Sequence, residues 1–162
     1  MNIPQHRAVN DLGVAAYILM HGYPVIGKRG RSIFFEVLED DKDFDELVLE
    51  YQPPNEFYTF DSCLMFLKKI SELPPRDDLD VDRIKTVADL GIAAYVLMHE
   101  YKVKPLGTKV VGKRGKFVYF YVPEGKDTEF ERLEYKYLPS QFQTYDSNLM
   151  ALKKIREYMP SK

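Results

Sequence analysis

The chain reads Gly112-Lys113-Arg114-Gly115-Lys116 and then Phe117-Val118-Tyr119-Phe120-Tyr121-Val122. The same pattern occurs earlier, where Gly27-Lys28-Arg29-Gly30-Arg31 precedes Ile33-Phe34-Phe35-Glu36-Val37. Two glycines around two cations, ahead of a run of apolar and aromatic residues, predict a tight turn that leads into a β-strand. Because a turn needs glycine but has no need of lysine and arginine, the charge at both tips is a candidate functional feature.

Two further stretches indicate that the repeat extends over most of the chain. Val9–His21 matches Val87–His99 at 10 of 13 positions, and Thr59–Ile70 matches Thr144–Ile155 at 9 of 12. The offset grows from 78 to 85 residues, so the second copy carries an insertion of about seven residues within Lys102–Val111. A unit as short as one of these copies buries only a marginal hydrophobic core by itself. We therefore expect the two copies to pack on each other about an approximate two-fold axis.

Each copy is predicted to begin with a helix. Asp89 and either Asp11 or Asn10 are suitable N-caps, because the oxygen of a short side chain accepts hydrogen bonds from the free amides of the first turn. Helices are also expected over 40–51 and 126–137, where prolines stop them. A last helix is expected to start near Thr59 and near Thr144, with a hydroxyl or a carboxylate of the following residues as its cap.

Strand alternation separates two faces of the outgoing strand of each hairpin. One face is apolar in both copies and is predicted to face the core; it carries Ile33, Phe35 and Val37, and later Val118, Phe120 and Val122. The opposite face carries Phe34 in the first copy, and Tyr119 and Tyr121 in the second. Tyrosines are typical of a partly solvated face.

These patterns predict an α+β protein. It has two repeated α-β-β-α-α units with antiparallel hairpins, packed as one pseudo-twofold body. Repeat unit 1 spans 1–73, a proline-rich acidic linker spans 74–83, and repeat unit 2 spans 84–162.

The net charge of −2 argues against a uniformly basic coat for nucleic acid, but it hides a division between the halves. Residues 1–82 contain 8 Lys and Arg against 16 Asp and Glu, whereas residues 83–162 contain 15 against 9. Such asymmetry indicates a charged partner for one half, or head-to-tail self-contact.

The single cysteine, Cys63, excludes an internal disulfide, and Asn148 takes its place in the second copy. No apolar run approaches the roughly 18 residues that span a bilayer, and the first residues have no apolar core of signal-peptide length. We expect a protein without membrane contact that is cytoplasmic, in the host cytoplasm if the source is a phage.

No group of residues forms a recognisable catalytic or metal-binding pattern. His21 and His99 end the first helices, where the helix dipole favours them, and with His6 they make no cluster at ligand spacing. Asp61 and Asp146 stand at the predicted start of the last helix and are interpreted as caps. The turn lacks the glycine spacing and the Lys-Ser/Thr ending of a phosphate-binding loop. We predict a non-enzymatic protein with no cofactor and no metal.

The cationic tips leave two interpretations open. Charged side chains on a turn can serve solubility alone. Alternatively, they contact the phosphates of a nucleic acid, while aromatic side chains of the adjoining strand stack on bases. The candidate nucleic-acid-binding residues are Lys28, Arg29, Arg31, Phe34, Lys104, Lys109, Lys113, Arg114, Lys116, Tyr119 and Tyr121.

Each unit follows one pattern: Asp-Leu-x-x-Ala-Ala-Tyr, a Gly-x-x-Gly turn, an aromatic strand, a helix ending in Tyr, then Leu-x-x-Leu-Lys-Lys-Ile. This pattern resembles a small domain family of unknown function found in phage and prokaryotic proteins, here as a tandem duplication. The resemblance brings no catalytic residues. If the source is a phage, it favours DNA replication, transcription or host takeover as settings.

The sequence thus predicts a non-enzymatic nucleic-acid-binding protein that prefers single-stranded DNA or RNA. Basic residues interleaved with aromatic ones suit a single strand better than a duplex. The alternative is a protein-interaction module, an inhibitor or adaptor, that docks through the acidic helix Asp40–Tyr51. A nucleotide-sequestering pocket or enzyme site between the units has the least support.

Overall fold

A computed structural model describes residues 4–74, 78–101 and 105–159 of the chain. The first half forms β1 (Pro4–Val9), α1 (Leu12–Met20), β2 (Val25–Arg29), β3 (Ser32–Leu38), α2 (Lys42–Glu50) and α3 (Glu56–Lys69). The second half forms β4 (Ile84–Val87), α4 (Leu90–Met98), β5 (Lys109–Arg114), β6 (Phe117–Tyr121), α5 (Asp127–Tyr137) and α6 (Gln141–Lys154). The predicted α+β class is confirmed.

Two three-stranded antiparallel sheets carry the predicted hairpins. Their strand orders are β1-β3-β2 and β4-β6-β5, so the outgoing hairpin strand is central in each. The glycines that enter these strands, Gly30 and Gly115, have φ of 60° and 59°. Residues with a Cβ seldom adopt this left-handed conformation, which explains why glycine stands at both turns.

The alternation of each central strand matches the prediction. Ile33, Phe35 and Val37 of β3 are buried, as are Val118 and Phe120 of β6 and Val122 beyond its end. Helix residues complete these cores, among them Ala15, Ala16, Phe44 and Leu152 in one, and Ala93, Ala94, Phe130 and Leu67 in the other.

A strand precedes the first helix in each half, which the sequence analysis did not predict. β1 pairs with β3 from Pro4 opposite Leu38 to Val9 opposite Ile33, and β4 pairs with β6. The segment before Val9 is largely polar and has no β-branched run, so local propensity gave no signal. It becomes a strand because the edge of β3 supplies backbone hydrogen-bond partners.

Two compact units divide the chain differently from the sequence repeats. Unit 1 comprises residues 1–58 and 144–162, and unit 2 comprises residues 59–143. Most of the last helix of each repeat therefore belongs to the unit built on the other repeat: α6 to unit 1 and α3 to unit 2. The repeat boundaries at 73 and 84 and the two-fold arrangement stay predictions.

The helix caps are partly as predicted. The carboxylates of Asp11 and Asp89 accept from the amides of Val14 and Ile92, both at 3.1 Å. The predicted start of the last helix was wrong, because α3 begins at Glu56 and α6 at Gln141.

The caps of the last helices stand before these earlier starts. The side chain of Asn55 accepts from the amides of Phe57 and Tyr58, and the hydroxyl of Ser140 accepts from the amide of Gln143. Asp61 and Asp146 consequently lie inside the helices rather than at their caps.

Candidate nucleic-acid interface

Lys28, the lysine of the first hairpin turn, lies inside unit 1 rather than at an exposed tip. Its side chain is buried, with 9% of the residue exposed. The ammonium group donates to the backbone carbonyls of Leu152, Lys153 and Ile155, at 2.7, 3.2 and 3.3 Å. Leu152 and Lys153 belong to the last turn of α6, and Ile155 directly follows it. At this end the helix leaves acceptors without intrahelical partners and carries partial negative charge. Lys28 therefore caps a helix C-terminus.

Lys113 makes the corresponding contact in unit 2. It is 8% exposed, and its ammonium group donates to the carbonyl of Leu67 in α3, at 2.5 Å. The prediction that Lys28 and Lys113 present their charge at hairpin tips is thus corrected. Both ammonium groups donate hydrogen bonds to backbone carbonyls at the C-terminal ends of helices.

The segment that follows each of these two helices also pairs with the hairpin whose lysine caps that helix. Tyr158 and Lys28 exchange backbone hydrogen bonds of 3.0 and 2.7 Å, and Leu73 and Lys113 exchange bonds of 3.0 and 2.9 Å. We call residues 67–73 and 152–158 the tail segments. Each adds a single isolated β-bridge at the outer edge of its sheet, to β2 in unit 1 and to β5 in unit 2.

A glutamate in each tail segment completes the contact with the turn. Glu157 accepts from the amide of Gly30, and Glu72 accepts from the amide of Gly115 at 2.8 Å. Both glycines lie between the cations of their turns. The repeated Lys-Lys-Ile-x-Glu of the tail segments was the sequence signal for this docking, since it recurs together with Gly-Lys-Arg-Gly.

The other cations of the two turns are exposed. Arg29 and Arg31 lie on the surface of unit 1, and Arg114 and Lys116 on that of unit 2. Lys109, at the start of β5, is also exposed. Lys104, the remaining candidate cation, lies outside the described residues.

An aromatic row covers the outer face of β6. Phe117, Tyr119 and Tyr121 alternate along the strand with buried residues, so their side chains share one face and lie about 7 Å apart. Phe117 is 47% exposed, and both tyrosines are half-buried. Phe117 was missed as a candidate, although its alternation with Tyr119 placed it on the same face.

Cations of β5 flank this row on the same face. Arg114 lies opposite Phe117, and Lys109 lies opposite Tyr121, in the antiparallel pairing of β5 with β6. Directly opposite residues project to the same side of a sheet. Gly112 lies opposite Tyr119 and contributes no side chain over its ring. The face thus combines three aromatic rings with cations at both ends.

A groove of 740 Å³ opens at the hairpin end of this face. Its walls include Arg114, Lys116, Phe117 and Tyr119, together with the carboxylate-bearing Glu72. It therefore brings three of the predicted candidates, Arg114, Lys116 and Tyr119, together with Phe117 in one concave site within unit 2. The site is mixed in charge, because Glu72 stands beside the cations.

The corresponding face of unit 1 is less suited to stacking. Phe34 is half-buried and lies opposite Ala8 and Gly27, while Glu36 is exposed and lies opposite His6. One aromatic ring and a carboxylate replace the three rings of β6. Arg29, Arg31 and Phe34 are thus placed in unit 1 without the aromatic row that accompanies the cations of unit 2.

The two helix-end histidines and the single cysteine have structural roles or are buried. The Nδ1 atoms of His21 and His99 lie 2.8 and 2.7 Å from the carbonyls of Tyr17 and Tyr95 at their helix ends. Burial raises the pKa of the Cys63 thiol to about 11, which leaves little thiolate at neutral pH.

The described residues hold no group suited to a metal ion and no helix suited to a membrane. Across residues 4–74, 78–101 and 105–159, no three His, Cys, Asp or Glu side chains are grouped as they would be to hold a metal ion. None of the helices described there has the length and apolar character needed to cross a bilayer.

No protein-family model, curated protein sequence or solved structure matches this chain. The resemblance to a phage and prokaryotic domain family stays a prediction.

Proposed function

We propose that the chain is a non-enzymatic nucleic-acid-binding protein that prefers single-stranded DNA or RNA, and that the outer face of β6 carries the contact. Phe117, Tyr119 and Tyr121 stack on bases, while Lys109, Arg114 and Lys116 contact phosphates. The observation that supports the proposal is the row of aromatic side chains on one solvated strand face, with a cation opposite each end.

The chemistry of the face favours a single strand. Unpaired bases expose their ring faces, and stacking on an aromatic side chain contributes about 1–3 kcal/mol per base. Bases of a duplex are already stacked on one another and present only their edges. Exposed cations beside the rings add phosphate contacts, which strengthen binding without sequence preference.

Lys28 and Lys113 have no place in this proposal, because their ammonium groups bind helix carbonyls. Arg29, Arg31 and Phe34 are assigned at most a weak contact, because unit 1 has a single ring and an exposed carboxylate on that face. The competing interpretation is that the exposed cations serve solubility alone.

A fluorescence-anisotropy titration tests the proposal. The probes are a labelled DNA and a labelled RNA single strand of about twelve nucleotides and the matching duplexes, at about 50 and about 200 mM salt. Three phosphate contacts predict a slope of log K against log salt of about −2 for single strands. The single strands should bind more tightly than the duplexes.

The double variant Arg114→Ala/Lys116→Ala should weaken binding and reduce the slope to about −0.7, because one phosphate contact remains. The matched control in the other turn is Arg29→Ala/Arg31→Ala, which removes the same charge from unit 1 and should retain most of the affinity. Equal losses in both variants contradict the assignment to β6. An absence of saturable binding to any probe contradicts the function itself.

A further inference from the structure

A second groove, of 520 Å³, lies within unit 1 beside the edge strand β1. Its apolar wall includes Val14 of α1 and Val48 and Leu49 of α2. Leu49 is 68% exposed, so a large apolar side chain at the groove meets water. The groove shares no lining residue with the groove at the aromatic row of β6.

The strand at this groove has an open side. β1 is the end strand of the order β1-β3-β2 and pairs with β3 alone among the residues that the structure describes. At the opposite end of the same sheet, β2 is covered by the tail segment through Tyr158. An uncovered edge offers backbone donors and acceptors to an added strand.

The negative charge around the groove favours a positively charged ligand. Residues 36–50 carry eight carboxylates and a single lysine, Lys42. Arg7, which lines the groove, is already paired with Asp45 at 2.5 Å and lies 5.1 Å from the ring centroid of Phe44. The negative charge of Asp43 and Glu46, both exposed on α2, favours a cationic partner.

We propose that this groove binds an extended, lysine- or arginine-rich peptide segment of another protein. The segment adds along the outer edge of β1 as a fourth strand. An apolar side chain of the segment packs against Val14, Val48 and Leu49, and its cations face the carboxylates of α2.

Unit 2 also has an edge strand, β4, but its second helix, α5, lacks the apolar wall. With Phe44 aligned on Phe130, Glu134 stands in place of Val48 and Tyr135 in place of Leu49. A carboxylate in the apolar wall disfavours an apolar side chain. The proposed site is therefore specific to unit 1, and it is independent of the nucleic-acid face.

The test uses the full chain and a labelled peptide of about seven residues that alternates lysine and valine, a length typical of a strand. One control peptide replaces each lysine by glutamate. Another carries N-methyl groups on alternate amides, which removes donors for strand pairing. The basic peptide should bind with a Kd below about 1 mM, while both controls should bind at least about tenfold more weakly, a difference of about 1.4 kcal/mol.

Three variants, one of them a matched control, locate the site. Leu49→Asp removes the apolar contact and should weaken peptide binding by about tenfold or more. Tyr135→Asp places the same charge at the matched, 77% exposed position of α5 and should leave binding unchanged. Glu46→Lys, an exposed change that leaves the core intact, should also weaken binding and reduce its salt dependence.

Three results overturn the proposal. The first is no saturable binding of the basic peptide below about 1 mM. The second is equal effects of Leu49→Asp and Tyr135→Asp. The third is a sedimentation profile in which the free protein self-associates and Leu49→Asp abolishes that association, because a second copy then occupies the groove. The oligonucleotide titration is unaffected by any of these outcomes.

Discussion

The ammonium group of Lys28 lies 2.7 Å from the carbonyl oxygen of Leu152, at the C-terminal turn of α6. Lys113 and Leu67 form the same pair in unit 2. The lysine found at both turns of this chain thus stabilises the end of a helix from the other half of the sequence. The repetition of Gly-Lys at both turns has a structural cause, whereas Arg114 and Lys116 are exposed and carry the proposed phosphate contacts.

Replacing Lys28 or Lys113 by Met should destabilise the fold. Each substitution leaves helix carbonyls without their charged donor, and such a loss costs about 1–3 kcal/mol of the free energy of unfolding. Urea denaturation followed by circular dichroism measures the change. Arg29→Met and Arg114→Met, at neighbouring exposed positions, should change stability by no more than about 0.5 kcal/mol.

The same variants separate stability from binding. Lys113→Met should retain its affinity for single-stranded oligonucleotide under conditions where it is folded, whereas Arg114→Met should lose affinity. A folded Lys113→Met protein with wild-type stability and weakened oligonucleotide binding contradicts the helix-capping role.

The predictable part of the fold came from local patterns. Alternation identified the buried face of β3 and β6, and short carboxylates identified Asp11 and Asp89 as caps. What the sequence did not reveal depends on contacts between residues far apart in the chain. β1 forms through pairing with β3, and Lys28 is buried by a helix 124 residues away. No local signal distinguishes a turn lysine in water from one that reaches a distant helix end.

Local patterns also predicted part of the candidate site. Tyr119 and Tyr121 followed from strand alternation, and Arg114 and Lys116 from their place at a turn. The acidic wall of the groove was not predicted, because Glu72 arrives there through the tail segment that pairs with Lys113.

Glu72→Gln should strengthen oligonucleotide binding by about two- to threefold at low salt. The substitution removes a negative charge beside Arg114 and Lys116, where it opposes a phosphate. The amide oxygen of glutamine can still accept from the amide of Gly115. Anisotropy titration measures the gain, which should shrink as salt screens the charge. Glu157→Gln is the matched control in unit 1 and should leave affinity unchanged; a gain in that variant alone refutes the placement of the site.

The Cys63 thiol should react slowly in the folded protein. Burial raises its pKa from 9.0 to about 11, so the thiolate fraction at pH 8 is about a hundredfold lower than in the unfolded chain. The rate of labelling by a disulfide reagent, with and without urea, measures this difference. Rapid labelling of the folded protein at pH 8 contradicts the burial.

The raised pKa of Cys63 also predicts how the free energy of unfolding changes at high pH. Between pH 9 and about 11 the unfolded chain loses the thiol proton while the folded protein keeps it, so the unfolded state binds fewer protons and stability falls as pH rises. The contribution is fully present below pH 9. Cys63→Ala should remove this component of the alkaline loss, which urea denaturation at pH 8 and pH 10.5 measures against wild type.

Tyr119 allows stacking to be distinguished from phosphate contact. Tyr119→Phe keeps the ring and should bind single strands about as well as wild type. Tyr119→Ala removes the ring and should weaken binding by about 1–3 kcal/mol. Neither substitution removes a charge, so the slope of log K against log salt should stay near its wild-type value in both, in contrast to Arg114→Ala, which should lower it by about 0.7.

The matched position in unit 1 supplies the control, because Phe34→Ala removes the single ring of that sheet face. It should change affinity much less than Tyr119→Ala does. If Tyr119→Phe weakens binding as strongly as Tyr119→Ala, the hydroxyl rather than the ring makes the contact, and stacking on β6 is wrong. If Tyr119→Ala lowers the salt slope as Arg114→Ala does, the two residues act through one disturbed turn, and the separation of rings from phosphate contacts is wrong as well.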